Sequence, residues 1–300
     1  MTLAFTPLST DSIKEYHELF SKCREKASDY TFINLWGWSE ERRYIWAFRD
    51  GLCWLRATAG ASPAWWAPVG DWRRPDWAQI MEDNVPPETA FERVPQELAE
   101  IWSEQLQGRC RMEEQRNEWE YLYDFDKMVS LSGNKLHRKK NLLTQFKKKY
   151  DYTYSPVSCQ NIGAIREMQA EWRRWRGCRE SPGLEAENIA ITRVLDEWER
   201  LPGILGGEIS VNDRIAAYTV AEDLGNGTVV IHFEKGLEFY KGVYQAINQM
   251  FLSSLTSPAG SAGFHTVNRE QDMGVQGIRQ AKESYSPTGF LKKYRVTWTG

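Results

Sequence analysis

The residues Phe5-Thr6-Pro7-Leu8-Ser9 return as Tyr154-Ser155-Pro156-Val157-Ser158, an offset of 149 in a chain of 300 residues. At the same offset Ile13 matches Ile162 and Glu18 matches Glu167. Each copy opens an amphipathic helical pattern: Ile13, Tyr16, Leu19 and Phe20 in the first, and Ile162, Ile165, Met168, Trp172 and Trp175 in the second. A repeat of half the chain length constrains the fold strongly, because it calls for two similar units in succession. Length agrees, since a single hydrophobic core stops growing at roughly 250–300 residues.

The second half predicts a strand at 152–157, helices at 161–176 and 185–200, and strands at 204–211, 214–222 and 228–234. Asn212-Asp213 and the run Asp223-Leu224-Gly225-Asn226-Gly227 supply the hairpin residues between those strands. A helix at 240–255, a strand at 264–267, a helix at 274–284 and a strand at 290–298 complete the order βααβββαβαβ. The first half is a shorter version. It has a strand near 3–8, a helix at 11–26, strands at 43–49, 52–57 and 64–68, a helix near 76–82 and a strand near 90–94. A helix at 96–107 and strands at 109–114 and 119–125 follow. This places α+β units at 1–126 and 152–300, joined by a basic segment, 127–151, that a Ser132-Gly133-Asn134 turn and a helix at 135–150 fill.

Composition removes several classes. The net charge is −3 and the pI near 6.0, so the surface as a whole is no trap for nucleic acid or anionic lipid. No apolar run approaches the roughly 20 residues that cross a bilayer, and MTLAFTPLSTDS lacks the basic flank and apolar stretch of a secretion signal. A cytoplasmic protein with no integral membrane segment is expected. The five cysteines, Cys23, Cys53, Cys110, Cys159 and Cys178, form no Cys-x-x-Cys pair and read as reduced thiols. With four scattered histidines the sequence predicts no metal site, and no Ser-His-Asp or Cys-His hydrolase. Ten of the 14 tryptophans lie between Trp36 and Trp119, which reads as core.

The element order resembles the GNAT (acyl-CoA N-acyltransferase-like) fold, and two copies resemble the tandem arrangement of the Fem-type and lipid aminoacyl transferases. Two motifs carry the likeness further. Leu131-Ser132-Gly133-Asn134-Lys135-Leu136-His137-Arg138-Lys139-Lys140-Asn141 with Phe146 is similar to the signature of the family named for the phosphatidylglycerol lysyltransferase C-terminal domain. So is Asn268-Arg269-Glu270-Gln271-Asp272-Met273-Gly274 with Gly277-Ile278-Arg279, Lys282 and Ser284-Tyr285-Ser286-Pro287. The resemblance implies two tandem GNAT-like domains, each a mixed, mostly antiparallel sheet flanked by helices, and an acyltransferase or aminoacyltransferase. It also implies a small-molecule or lipid-headgroup acceptor.

The residues define the site to be looked for. Asn268 to Gly274 follow a strand end, where ligands bind in α/β layers. There Glu270 or Asp272 can act as base or hold an ammonium, while Asn268 and Arg269 contact substrate; Asp272 equally suits a helix cap. Arg279 and Lys282 share a helix face that can hold a phosphate or those carboxylates. Tyr285 stands where GNAT-like enzymes place a leaving-group acid, or is simply packed. Lys241 and Gly242 open a helix whose N-terminus can grip a donor's pyrophosphate, although the Gly-rich coenzyme A loop is missing.

Lys127 to Tyr150 carries eight basic residues and no acid. Beside Phe146, Tyr150, Tyr152 and Tyr154, the cations Arg138, Lys139, Lys140, Lys147 and Lys148 suit a tRNA acceptor stem, or else offset the acids between Glu113 and Asp126. The resulting expectation is aminoacyl transfer from charged tRNA to an amine or hydroxyl, with no cofactor required, the second domain carrying the site and backbone near 228–234 supplying oxyanion donors. An acyl-CoA dependent N-acyltransferase and a non-catalytic ligand-binding tandem fold are the alternatives.

Overall fold

The structure, a computed structural model, describes residues 3–60, 63–176, 181–257, 260–261 and 263–300, so Cys178 lies outside the described residues. The chain forms two compact units, Met1–Glu120 with Leu291–Gly300, and Tyr121–Phe290. In the first unit lie β1 (Thr6–Pro7), α1 (Ile13–Phe20), α2 (Phe32–Gly37), α3 (Ser39–Arg42), β2 (Tyr44–Arg49), β3 (Leu52–Ala57) and β4 (Ala64–Gly70). α4 (Trp77–Asn84), β5 (Thr89–Pro95), α5 (Gln96–Gln105) and β6 (Cys110–Glu114) follow. β7 (Glu120–Asp124) leads into the second unit.

That unit holds α6 (Phe125–Ser130), α7 (His137–Lys149), β8 (Tyr152–Pro156), α8 (Ile162–Trp175), α9 (Pro182–Asp196), β9 (Ile204–Val211), β10 (Arg214–Asp223) and β11 (Thr228–Gly236). It continues with α10 (Val243–Ser254), the small hairpin β12 (Thr256–Ser257) and β13 (Gly260–Ser261), then β14 (Thr266–Asn268), α11 (Gln276–Glu283) and β15 (Gly289–Leu291). β16 (Lys293–Trp298) ends the chain in the first unit's sheet. Among the described residues no helix is long and apolar enough to cross a membrane.

The two sheets run β1-β2-β3-β4-β5-β16-β6 and β8-β9-β10-β11-β14-β7-β15, and position by position they are the same sheet. The repeat in sequence is thus a repeat in space: two tandem GNAT-like domains. The strands exchange, however. β16, from the end of the chain, fills in the first sheet the place that β7 fills in the second. The boundaries at 126–127 and 151–152 expected from the sequence therefore give way to 120–121 and 290–291, and α7 belongs to the second unit. The expected single strand 290–298 is two, β15 and β16, in different sheets. Alternation of apolar residues announces a strand but does not name its partner, so sequence proximity assigned these strands to the wrong sheets.

Each sheet opens at the same point. β4 and β5 pair in parallel at Trp65↔Phe91 and Trp66↔Glu92, after which β5 follows β16 and β4 stays with β3. β11 and β14 pair from Thr228↔Thr266 to Val230↔Asn268. Beyond that, β11 runs on beside β10 to Gly236 while the chain after Asn268 turns to Tyr121. In this gap the register of β10 on β11 slips: Val220 faces Phe233 but Ala221 faces Ile231, leaving His232 as the extra residue of a bulge.

Trp46, Trp54, Trp77 and Trp102 are among the largest fully buried side chains of the first unit, in line with their reading as core. In the second, α10 lays Ala246, Ile247, Phe251 and Leu252 on the sheet, and Leu143 and Phe146 of α7 join the same cluster.

Candidate active site

The segment Asn268 to Gly274 leaves β14 where the second sheet opens, and local chemistry fixes its path. Asn268 is buried, and its Oδ1 accepts from the Glu270 amide at 2.8 Å. Glu270 and Met273 adopt left-handed backbone angles, φ 57° and 53°, which for residues with side chains costs roughly 1–3 kcal/mol each. The compensation is explicit. Lys282 Nζ, one helix further on, donates to the carbonyls of Arg269, Glu270 (3.0 Å) and Gln271 (2.7 Å). Asp272 is fully buried, with Oδ2 accepting from the Tyr121 hydroxyl at 2.6 Å and Arg279 Nε at 2.8 Å. Its Oδ1 accepts from Arg279 Nη2 at 2.9 Å and the Gly274 amide at 2.8 Å.

Burial alone would raise the Asp272 carboxyl, but the Arg279, Tyr121 and Gly274 donors hold it far below the usual carboxylate range. Asp272 anchors the loop, and it closes the Asp272–Gly274 turn rather than capping α11, whose N-cap is Val275. Arg279 holds the Asp272 carboxylate, one of the two roles the sequence left open for it, while Lys282 is engaged by backbone carbonyls. Their motif spacing encodes a rigid loop.

Of the loop's two carboxylates, Glu270 reaches solvent, its side chain 19% exposed. Oε1 lies 2.9 Å from His232 Nδ1, and His232 Nε2 lies 3.1 Å from Glu222 Oε2. His232 and Glu222 are buried. Burial opposes charge on the imidazole, but the two flanking carboxylates outweigh it and raise its pKa to about 9. At neutral pH an imidazolium therefore sits between Glu222 and Glu270. Sequence reading assigned His232 no role, and the structure gives it two carboxylate partners. Glu222 and His232 lie on adjacent strands, with Glu222 facing Val230, so the hairpin register was the signal that could have joined them.

Arg269 points toward β11, with Nη2 3.1 Å from Glu234 Oε1; Glu234 Oε2 accepts from Asn248 at 3.0 Å. Tyr285 is buried, and burial raises its phenol. Gln245 donates to its hydroxyl at 3.4 Å, and Lys139 Nζ lies 4.4 Å from its ring centre. On the basic helix Arg138, Lys140, Lys147 and Lys148 are exposed, and none of them is ion-paired among the described residues, so the expected offsetting of acids is not what they do.

Lys241 and Gly242 open α10, as the sequence predicts. Gly242 is the N-cap of α10 at φ 88°, where a Cβ would stand 2.4 Å from the Leu142 carbonyl oxygen. The Lys241 amide donates to the Tyr150 hydroxyl at 3.1 Å. This helix start is fitted against α7.

The model of the family described as phosphatidylglycerol lysyltransferase, C-terminal, matches residues 20–297. A conserved protein of unknown function from Bacteroides thetaiotaomicron is 26% identical, with 99% of both chains covered and a TM-score of 0.86. L-PGS from Bacillus licheniformis (13% identity, 98% of this chain and 93% of that one, TM-score 0.64) and FemX (8%, 99% and 98%, TM-score 0.58) share the fold. An uncharacterized Mycoplasmoides gallisepticum protein is 26% identical over 181 residues, 59% of this chain and 55% of that one; the chain spans about half the length of this curated relative.

Proposed function

The chain belongs to the phosphatidylglycerol lysyltransferase C-terminal family, and from that premise we propose that it is an acyl-group transferase, moving an aminoacyl group from charged tRNA to an amine or hydroxyl acceptor. The observation that carries this is Glu270: a carboxylate at the opening of the second sheet, held from behind by buried His232 and Glu222, on a loop locked by Asp272, Arg279 and Lys282. In the reaction the acceptor attacks the ester carbonyl, a new C–N or C–O bond forms, and the ester C–O bond to the ribose breaks. Glu270 takes the proton that the acceptor loses, and the departing ribose hydroxyl takes up one proton. A base so placed contributes typically 10²–10⁴-fold. Fixed geometry matters as much, because a preset loop avoids reorganisation during the reaction.

The unpaired cations of α7 support a polyanionic donor. The start of α10 favours coenzyme A less, since the Gly-rich loop is missing and the Lys241 amide is already given to the Tyr150 hydroxyl. The test is to incubate the protein with tRNAs charged with labelled amino acids and, separately, with acetyl-CoA, each with an amine and alcohol library, and to find the products by mass spectrometry. Labelled aminoacyl products that vanish in Glu270→Gln support the reading. Turnover of acetyl-CoA with none of aminoacyl-tRNA overturns it.

A further inference from the structure

Two well-buried cations of the chain meet carboxylates: Lys235 meets Glu187 at 2.7 Å, and Arg93 meets Asp29 and Glu118. Lys139 does not. It is half-buried, and among the described residues no carboxylate lies within ion-pair distance of it. Its neighbours are the ring of Tyr285 at 4.4 Å and two further cations, Arg138 and Arg269. Burial first, then these guanidinium groups, hold the ammonium below its ordinary pKa.

Arg269 shares the same ring, with its guanidinium carbon 4.9 Å from the centre, and also donates to the Tyr285 hydroxyl. Two cationic groups thus converge on one tyrosine, with Glu234 the carboxylate paired to Arg269. Such a grouping of like charges is unfavourable by itself and is relieved when an anion enters. A tetrahedral oxyanion can take an ammonium, a guanidinium and a phenol together.

We propose that Lys139, Arg269 and Tyr285 form a subsite for a phosphoryl group of the donor substrate. The subsite rests on the transferase reading only for its occupant, a phosphodiester of the tRNA 3′ end; the phosphates of coenzyme A offer the same chemistry. Arg269 and Glu270 are neighbours on the same locked loop, so a phosphate held here is positioned by the loop that carries Glu270.

Calorimetric titration with the trinucleotide pCpCpA, with its uncharged methylphosphonate analogue and with coenzyme A tests this, on wild type, Lys139→Gln, Lys139→Arg and the exposed control Lys140→Gln. Lys139→Gln should weaken pCpCpA binding by roughly tenfold and flatten its dependence on log salt by about 0.7, while Lys139→Arg restores it and the methylphosphonate analogue is unaffected. Lys140→Gln should change binding less. If coenzyme A shows the Lys139-dependent affinity and pCpCpA does not bind, the subsite stands and the tRNA donor falls. Equal affinity of wild type and Lys139→Gln for every phosphate probe overturns the subsite, whatever the transfer assay shows.

Discussion

Glu270 Oε1 and His232 Nδ1 are 2.9 Å apart, and the far side of the imidazole is held by Glu222 at 3.1 Å. The bulge on β11 makes this contact, because the extra residue turns the imidazole into the opening of the sheet. The pair sets a pH dependence. With its folded pKa raised to about 9 from an ordinary 6.5, His232 contributes stability that is fully present below pH 6.5 and is lost as pH rises through 9. NMR titration of the imidazole should show it protonated at pH 7.5, and denaturant midpoints should fall between pH 7 and 9.5. A titration near 6.5 would sink this assignment.

Removing Glu222 tests whether it acts through its neighbour. Glu222→Gln should bring the His232 pKa down and lower kcat more than KM, with part of the loss regained at lower pH where the imidazole is again charged. Glu270→Gln should cost roughly a hundredfold or more at every pH, with the fold intact by circular dichroism.

Asp272→Asn leaves Arg279 without its counter-charge and weakens the Tyr121 contact. Asp272 is buried while Arg279 is about a third exposed, so the loss is smaller than for a fully buried pair; thermal melting should drop and protease cleavage should appear between 268 and 275. The native carboxyl, far below its usual range, contributes stability present above about pH 3.8 and lost only as pH falls through its lower folded value. Acid unfolding should therefore begin at higher pH in Asp272→Asn.

Gly242→Ala should destabilise by roughly 1–3 kcal/mol, since the backbone is left-handed there and the new methyl meets the Leu142 carbonyl. Hydrogen exchange should show faster opening of α7 and the start of α10, with α8 and α9 unchanged.

Lys293 on β16 is buried between Asp29 and Glu120, 2.6 Å from the latter. Lys293→Met leaves buried Asp29 with Arg93 but without its lysine, and takes the same cation from buried Glu120, so about 3–5 kcal/mol should be lost. Exchange protection should fall in β2 to β5, hundreds of residues away in sequence, and persist in β9 to β11. Loss confined to residues near 293 would contradict the strand order.

The elements that period and turn chemistry define were legible. Leu52–Ala57 and Ile204–Val211 match their predicted strands, and Asn212-Asp213 turns with both φ angles positive, as a two-residue hairpin asks. What depends on pairing was not. Nothing in the alternation of Lys293–Trp298 says that it lies between β5 and β6. The same limit hid His232, whose partners come from a neighbouring strand and a distant loop. For Asp272, Arg279 and Lys282 the motif was visible, and of the two roles it allowed the structure shows the internal one: Arg279 satisfies Asp272, Lys282 satisfies backbone carbonyls, and Glu270 is the carboxylate of the loop that reaches solvent.

The exchange of β7 and β16 also governs how the chain is made. A ribosome releases residues 1–120 long before 293–298, so during synthesis β5 waits with an unpaired edge and Asp29 and Glu120 wait without their lysine. At roughly 5–20 residues per second that wait is on the order of ten to forty seconds, in which the nascent amino-terminal half depends on chaperones or on its own tryptophan core to avoid aggregation. Residues translated well before β16 are thus completed only by it.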